Sequence, residues 1–236
     1  MDRRAKRAAA DDTSEEREVV VLAPQPLPGF LAVPPHARGL VIFAHGSGSS
    51  RLSPRNRFVS RAIREAGLGT LLFDLLNSEE ERYDERTSLL RFDMRLLADR
   101  LLGAIRWAKA QPGLSGLACG LFGASSGGGA ALVAAAGSPE SVRAVVSRGG
   151  RPDLAGEALR YVQAPTLLIV GERDPEVLRL NQQAAALLPA EKRLETVPGA
   201  SHLFEEAGAI EEVARLARDW FAQYLGATLR PAAPPA

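Results

Sequence analysis

Apolar and polar positions follow two rhythms along this chain. Short unbroken apolar runs, rich in β-branched residues, alternate with longer stretches at helical spacing. "EVVVLA", "GLVIFAHG", "GTLLFDL", "GLACGLFG", "VRAVVS" and "APTLLIVGERD" predict strands, and "RLETVPG" a shorter one. "SPRNRFVSRAIREAG" predicts a helix, with Ser53 as its N-cap, Pro54 at its first position and Gly67 as its stop. "SLLRFDMRLLADRLLGAIRWAKA" predicts one long amphipathic helix, with Leu90, Met94, Leu97, Leu101 and Ile105 near helical spacing. An alanine-rich helix follows Ser125 and Ser126, and "LRLNQQAAALLP" predicts another. The last helix, "AIEEVARLARDWFAQYL", sets Ile210, Val213, Ala217, Trp220 and Tyr224 on one stripe. "NSEEERYDERTS", residues 77–88, shows no such stripe and predicts a mobile charged loop.

Strands that are apolar throughout are covered on both faces. Their alternation with helices predicts an α/β fold, a mostly parallel sheet between helical layers, with function gathered at the carboxyl ends of the strands. The expected limits are a disordered polar arm over 1–16, one domain over 17–226 and a disordered Pro/Ala tail over 227–236.

The remaining chemistry narrows the classes. Of 236 residues, 46% are hydrophobic and 24% charged, the mix of a soluble globular chain. A net charge of +1 gives no general attraction for nucleic acid or an anionic membrane, and no apolar run is long enough for a membrane span. The N-terminus begins basic but turns acidic without an apolar core, which argues against a secretion signal, and Asp11, Asp12, Glu15 and Glu16 argue against a transit peptide. A single cysteine, Cys119, excludes an internal disulfide and fits a reducing compartment. The expected location is therefore cytoplasmic. Nothing in the pattern sets an oligomeric state.

"GLFGASSGGGAALVAAA", residues 120–136, concentrates glycine where a strand gives way to a helix. Gly123-Ala124-Ser125-Ser126-Gly127 is a G-x-S-x-G in the strand–turn–helix context of a nucleophile elbow. Ser125 has glycine two residues away on either side; Ser126 has Ala124 and Gly128, which are also small, so the motif alone leaves both open. Glycine on both sides of Ser125 favours it. A serine hydroxyl needs a base, and the chain has three histidines. Only His202, in "VPGASHLF", follows both the serine and the candidate acids. Asp174 is the expected acid, with Glu172 as competitor and a helix-capping role for Asp174 compatible with catalysis. The oxyanion hole is expected from the backbone N–H groups of Ser126 and of Ser47, in "HGSGSS". His45 reads as structural and His36 as exposed. A phosphate-cradling loop, the rival reading of the glycines, lacks the Gly-Lys-Ser/Thr ending.

The segments "FAHGSGSSRLSPRNRFV", "GLFGASSGGGAALVAAA", "VVSRGGRPDLAG", "PTLLIVGERD" and "PGASHLFEE" together resemble the α/β-hydrolase superfamily, and within it the dienelactone-hydrolase-like serine hydrolases. The resemblance spans most of residues 17–226. It implies an α/β-hydrolase fold and places the nucleophile on Ser125. Dienelactone hydrolase itself carries a cysteine there, so the likeness carries the fold and not the dienelactone substrate. Caps in this superfamily commonly enter after the sixth strand. Here that interval, "RGGRPDLAGEALRYVQ", has room for one short helix, which predicts little or no cap domain.

The expected function is cleavage of a small soluble ester, or a related acyl bond, by Ser125, His202 and Asp174, without metal or organic cofactor. A ligand-binding protein without catalysis, and a thioesterase or acyltransferase on the same triad, are the alternatives. Arg148 and Arg151, at a strand end, are candidate binders of an anionic substrate group, against a structural role in which Asp153 is one partner.

Overall fold

A computed structural model of the chain describes residues 16–226. The expected arm and tail lie outside the described residues, apart from Glu16, which forms ion pairs with Arg57 and Arg64.

Eight strands form one sheet: β1 Arg17–Leu22, β2 Pro26–Ala32, β3 Gly39–Ala44, β4 Gly69–Phe73, β5 Ala118–Ala124, β6 Val142–Arg148, β7 Thr166–Gly171 and β8 Lys192–Val197. Their order is β1-β2-β4-β3-β5-β6-β7-β8. β1 and β2 run antiparallel to their neighbours, and the remaining strands pair in parallel. Every residue of β3, β4 and β7 is buried, as unbroken apolar runs predict. β2 was not expected. Its two prolines hide it, yet both are compatible with a strand paired at the antiparallel margin of the sheet.

Helices cover both faces. α1 Pro54–Glu65 and α6 Ala209–Leu225 pack on one, burying Val59 and Ile63 beside Val213, Ala217, Trp220 and Phe221. α3 Met94–Lys109, α4 Ser126–Gly137 and α5 Pro175–Leu187 cover the other, with Leu97, Leu101 and Ile105 in its core. The caps read from the sequence recur at α1, where the Ser53 hydroxyl accepts the Asn56 N–H.

Two segments differ from expectation. Residues 78–87 form a helix, α2, rather than a loop. It needs no apolar stripe because its first turn is closed by a capping box: Asn77 accepts from Glu79 and Glu80 N–H, while the Glu80 carboxylate accepts the Asn77 N–H. The long helix expected from residue 88 begins only at Met94, where Asp93 caps it, after a short 3-10 turn over 90–92. Asp84 bridges the two pieces by accepting from Leu90 and Arg91 N–H and pairing with the Arg91 guanidinium.

Between β6 and β7 stands only a kinked 3-10 segment, Pro152–Tyr161, so no cap domain covers the sheet there. No described helix is long and apolar enough to cross a membrane. Cys119 is buried in β5, and burial pushes its thiol up to about 11.

Candidate active site

Register aligns the carboxyl ends of the central strands. Ala44 pairs with Gly123, Gly123 with Ser147, and Arg148 with Ile169. The residues that follow these ends form one rim.

Ser125 stands just before α4 at φ 52°, ψ −121°, a left-handed conformation that strains a residue bearing a side chain by about 1–3 kcal/mol. Its neighbours hold it there. Ser125 N–H donates to Arg148 O at 3.1 Å, and Arg151 N–H donates to Ser125 O at 3.0 Å. The glycines on either side admit other backbone: a β-carbon on Gly123 would lie 2.4 Å from Gly127 O, and one on Gly127 would lie 2.4 Å from Ala44 O. The clustered glycines thus permit the first turn of α4 to press against the end of β3 (a contact that alanine would forbid).

The His202 loop is built against the β7 turn. Glu172 accepts the Gly199 N–H at 2.7 Å, Arg173 donates to Gly199 O at 2.6 Å, and Arg173 N–H donates to Ala200 O. His202 Nδ1 lies 2.6 Å from Asp174 Oδ2, so the ring nitrogen facing the acid carries the proton and in the neutral ring Nε2 is left as an acceptor. Asp174 also caps α5 through Val177 N–H, while Glu172 anchors the loop instead of the histidine. The His202 ring packs on the turn that brackets Ser125: a β-carbon on Gly149 would lie 3.6 Å from His202 Cε1. Ser125 Oγ makes no hydrogen bond to His202 among the described residues; such contacts commonly tighten only with substrate bound.

On the other side stands the loop after β3. His45 is buried, its Nε2 accepting the Leu75 N–H at 3.0 Å and its Nδ1 lying 3.0 Å from Gly46 O. Burial pushes its pKa below the usual histidine value, so it is a neutral brace. Ser47 is exposed, and its N–H donates at 3.0 Å to the hydroxyl of Ser126. Arg51 closes the loop: its N–H donates to Asp74 Oδ1 at 2.7 Å and its guanidinium pairs with the same carboxylate. Arg55 pairs with Glu205. His36 is exposed and takes no part in these contacts.

A cavity of about 400 Å³ opens beside Ser47 and Ser126, lined also by Leu76, Leu97 and the α2 side chains Glu81, Asp84 and Glu85. It stops short of Ser125 and His202. Among the described residues no group of three or more His, Cys, Asp or Glu side chains is placed to hold a metal.

The two candidate arginines sit differently from each other. Arg148 points inward, 7% exposed, donating to Asn56 Oδ1 at 3.2 Å and lying over the Phe204 ring at 5.7 Å. Burial, aided by nearby Arg55, pushes its pKa down to about 10. Arg151 makes two hydrogen bonds, 2.8 and 2.7 Å, to the Asp153 carboxylate.

The model of the dienelactone hydrolase family matches residues 27–226. This chain belongs to the dienelactone hydrolase family. It is 56% identical to a dienelactone hydrolase of Anabaena variabilis ATCC 29413 whose crystal structure superposes with a TM-score of 0.88, over 90% of this chain and 99% of that one. Est1E from Butyrivibrio proteoclasticus, 15% identical, shares the fold with a TM-score of 0.74 over 91% of this chain and all of its own. Two Mycobacterium tuberculosis proteins, from strains CDC 1551 and H37Rv, bear the name "Putative phosphoribosyl transferase" and are each 57% identical over 219 residues. That match takes in 92% of this chain and 48% of theirs, so the chain spans about half the length of these curated relatives.

Within this dienelactone hydrolase fold, three features escaped the sequence. They are the Ser126 hydroxyl on Ser47, the Glu172 anchor and the α2 wall of the cavity. The first two are long-range contacts without a local pattern. The third had a signal, the Asn77–Glu80 capping box.

Proposed function

We propose that this chain hydrolyses carboxylic esters of small substrates through Ser125, His202 and Asp174. The observation that carries the reading is the 2.6 Å contact of His202 with Asp174, built beside the strained elbow of Ser125. In this reading His202 Nε2 takes the Ser125 proton as Oγ attacks the carbonyl, and returns it to the leaving alcohol. Asp174 fixes the ring and stabilises its cation. The N–H groups of Ser126 and Ser47 receive the oxyanion. Water then cleaves the acyl-enzyme with the roles reversed. A thioester would be cleaved by the same steps, and an acceptor other than water would make the chain an acyltransferase.

The charges lining the neighbouring cavity support neutral esters as the substrate class. Glu81 and Glu85 line it without an ion-pair partner among the described residues, and burial, then Asp74 and Glu85, raise the Glu81 pKa. Arg51, Arg55, Arg91 and Arg151 are all paired with carboxylates, and Arg148 is turned inward. We therefore give Arg148 and Arg151 a positioning role around Ser125, in place of binding an anion. The transferase named for the mycobacterial relatives is not carried over, since the chain spans only half of them and the residues gathered here suit acyl chemistry.

A fluorophosphonate label, mapped by peptide mass spectrometry, tests the reading. Label on Ser125, lost in Ser125→Ala together with nitrophenyl ester hydrolysis, is the expected result. Label on Ser126 would shift the elbow by one residue. No label and unchanged hydrolysis in Ser125→Ala would overturn the mechanism.

A further inference from the structure

Ser126 is 2% exposed, and its hydroxyl touches Ser47 twice: it accepts the Ser47 N–H at 3.0 Å and lies 2.9 Å from Ser47 Oγ. These are the described hydrogen bonds that join the elbow to the loop after β3, across 79 residues of sequence. Sequence assigns Ser126 only its backbone N–H. The structure gives its side chain something to do.

A hydroxyl has two acceptor positions and one proton. One acceptor position is filled by the Ser47 N–H. Between the two hydroxyls one proton is shared, and one is left over. Ser47 is exposed and can satisfy its oxygen with water, whereas Ser126 is shut off from solvent except at the cavity wall it helps to form. The arrangement that leaves no buried group wanting has Ser47 donating both its protons to Ser126. The remaining Ser126 proton is then free for a third partner. An oxygen that accepts from two donors is a better donor itself, because the bonds polarise one another.

We propose that the Ser126 hydroxyl is a third donor to the oxyanion, and that before substrate arrives it occupies the Ser47 N–H as a placeholder. This inference rests on the acyl mechanism above. When the substrate carbonyl oxygen enters, it takes over the Ser47 N–H. The Ser126 hydroxyl, freed from accepting that N–H, donates its own proton to the same oxygen. No covalent bond changes at Ser126. The loop stays oriented throughout, so little reorganisation accompanies the appearance of negative charge, which is the condition under which such donors are most effective.

The test compares Ser126→Ala and Ser47→Ala, both of which keep the backbone N–H groups. Hydrolysis of a nitrophenyl ester and inhibition by a matching trifluoromethyl ketone, which adds to the nucleophile and forms an oxyanion, are measured on each. Ser126→Ala should lower kcat by about 10²-fold with KM within about twofold, as loss of one oxyanion donor does elsewhere. Ketone affinity should fall in proportion to kcat. Ser47→Ala, which removes only the polarising partner, should lower kcat by roughly threefold, and Ser126→Thr should restore part of the rate by returning a hydroxyl. A merely structural hydroxyl would lower thermal stability and leave ketone affinity in step with KM. Ser126→Ala retaining more than half of kcat overturns the proposal, as does a loss of kcat without loss of ketone affinity. Should Ser126→Ala not fold, full activity and full ketone affinity in Ser47→Ala overturn it on their own. Ser125 labelling separates the two failures: label present with Ser126→Ala unimpaired defeats this inference alone, and absence of label at Ser125 defeats the acyl mechanism beneath it.

Discussion

The two halves of the candidate site are held in place by different means. The half bearing His202 is tied redundantly to the β7 turn: Glu172 and Arg173 between them make three hydrogen bonds to residues 199 and 200, and Ser201 N–H adds another to Glu206. The first three join the segments that follow the adjacent parallel strands β7 and β8. The half bearing Ser47 depends on single, distant side chains: His45 on Leu75, Arg51 on Asp74, and Ser126 on Ser47. Redundant bonding makes a His202 loop whose position survives the loss of one neighbour. Links that each pass through one side chain make a Ser47 loop that a single substitution can displace.

Breaking the chemistry itself should have the largest effect. Asp174→Asn should lower kcat on the order of 10⁴-fold while the melting temperature changes little, as comparable triads behave when the ring is held in the wrong tautomer. Kinetics and a thermal melt on the same preparation check both parts.

Next come the links, and here the two halves should separate. Asp74→Ala removes the acceptor of the Arg51 N–H and guanidinium at once. It should lower kcat by about 10²-fold, the effect of displacing a reacting group by about 1 Å, and lower the melting temperature. Glu172→Gln should lower kcat by no more than about threefold, since Arg173 still holds Gly199 and Ala200. Equal losses in both variants would abolish the contrast drawn above.

The smallest effect is on stability. The folded protein holds the His45 pKa below its unfolded value of about 6.5. The unfolded chain therefore binds the proton more readily. The stabilisation is fully present above that value and is lost progressively as pH falls from it towards the lower folded pKa. Urea unfolding at about pH 7.5 and about pH 5.5 should show a larger acid loss in the native protein than in His45→Gln, whose amide can accept the Leu75 N–H without titrating.

Much of this was legible because it is local. α6 begins and ends where its stripe does, and α1 starts at the Ser53–Pro54 pair. The fully apolar strands gave the parallel sheet, and the order of Ser125, Asp174 and His202 gave candidates that the fold brings to one rim. What escaped was of two kinds. β2 carries prolines that depress strand propensity, and it forms because β1 and β4 flank it. α2 buries only Asp84, so periodicity has nothing to detect; its helix rests on a capping box and an arginine from beyond its own end. The Ser126–Ser47 contact joins two hydroxyls far apart in sequence, and either serine alone looks like ordinary loop chemistry.

Cys119 bears on how these ideas can be examined. Its thiol is enclosed in β5 and resists ionisation, so at neutral pH it offers almost no thiolate to an alkylating reagent. The native protein is expected to take up almost no maleimide dye at this residue. A cysteine placed on the exposed face of α2, at Arg82 or Arg86, would be the sole reactive thiol among the described residues. A fluorophore there could report movement of the cavity wall against the rest of the fold during turnover, without first stripping a structural residue from the core.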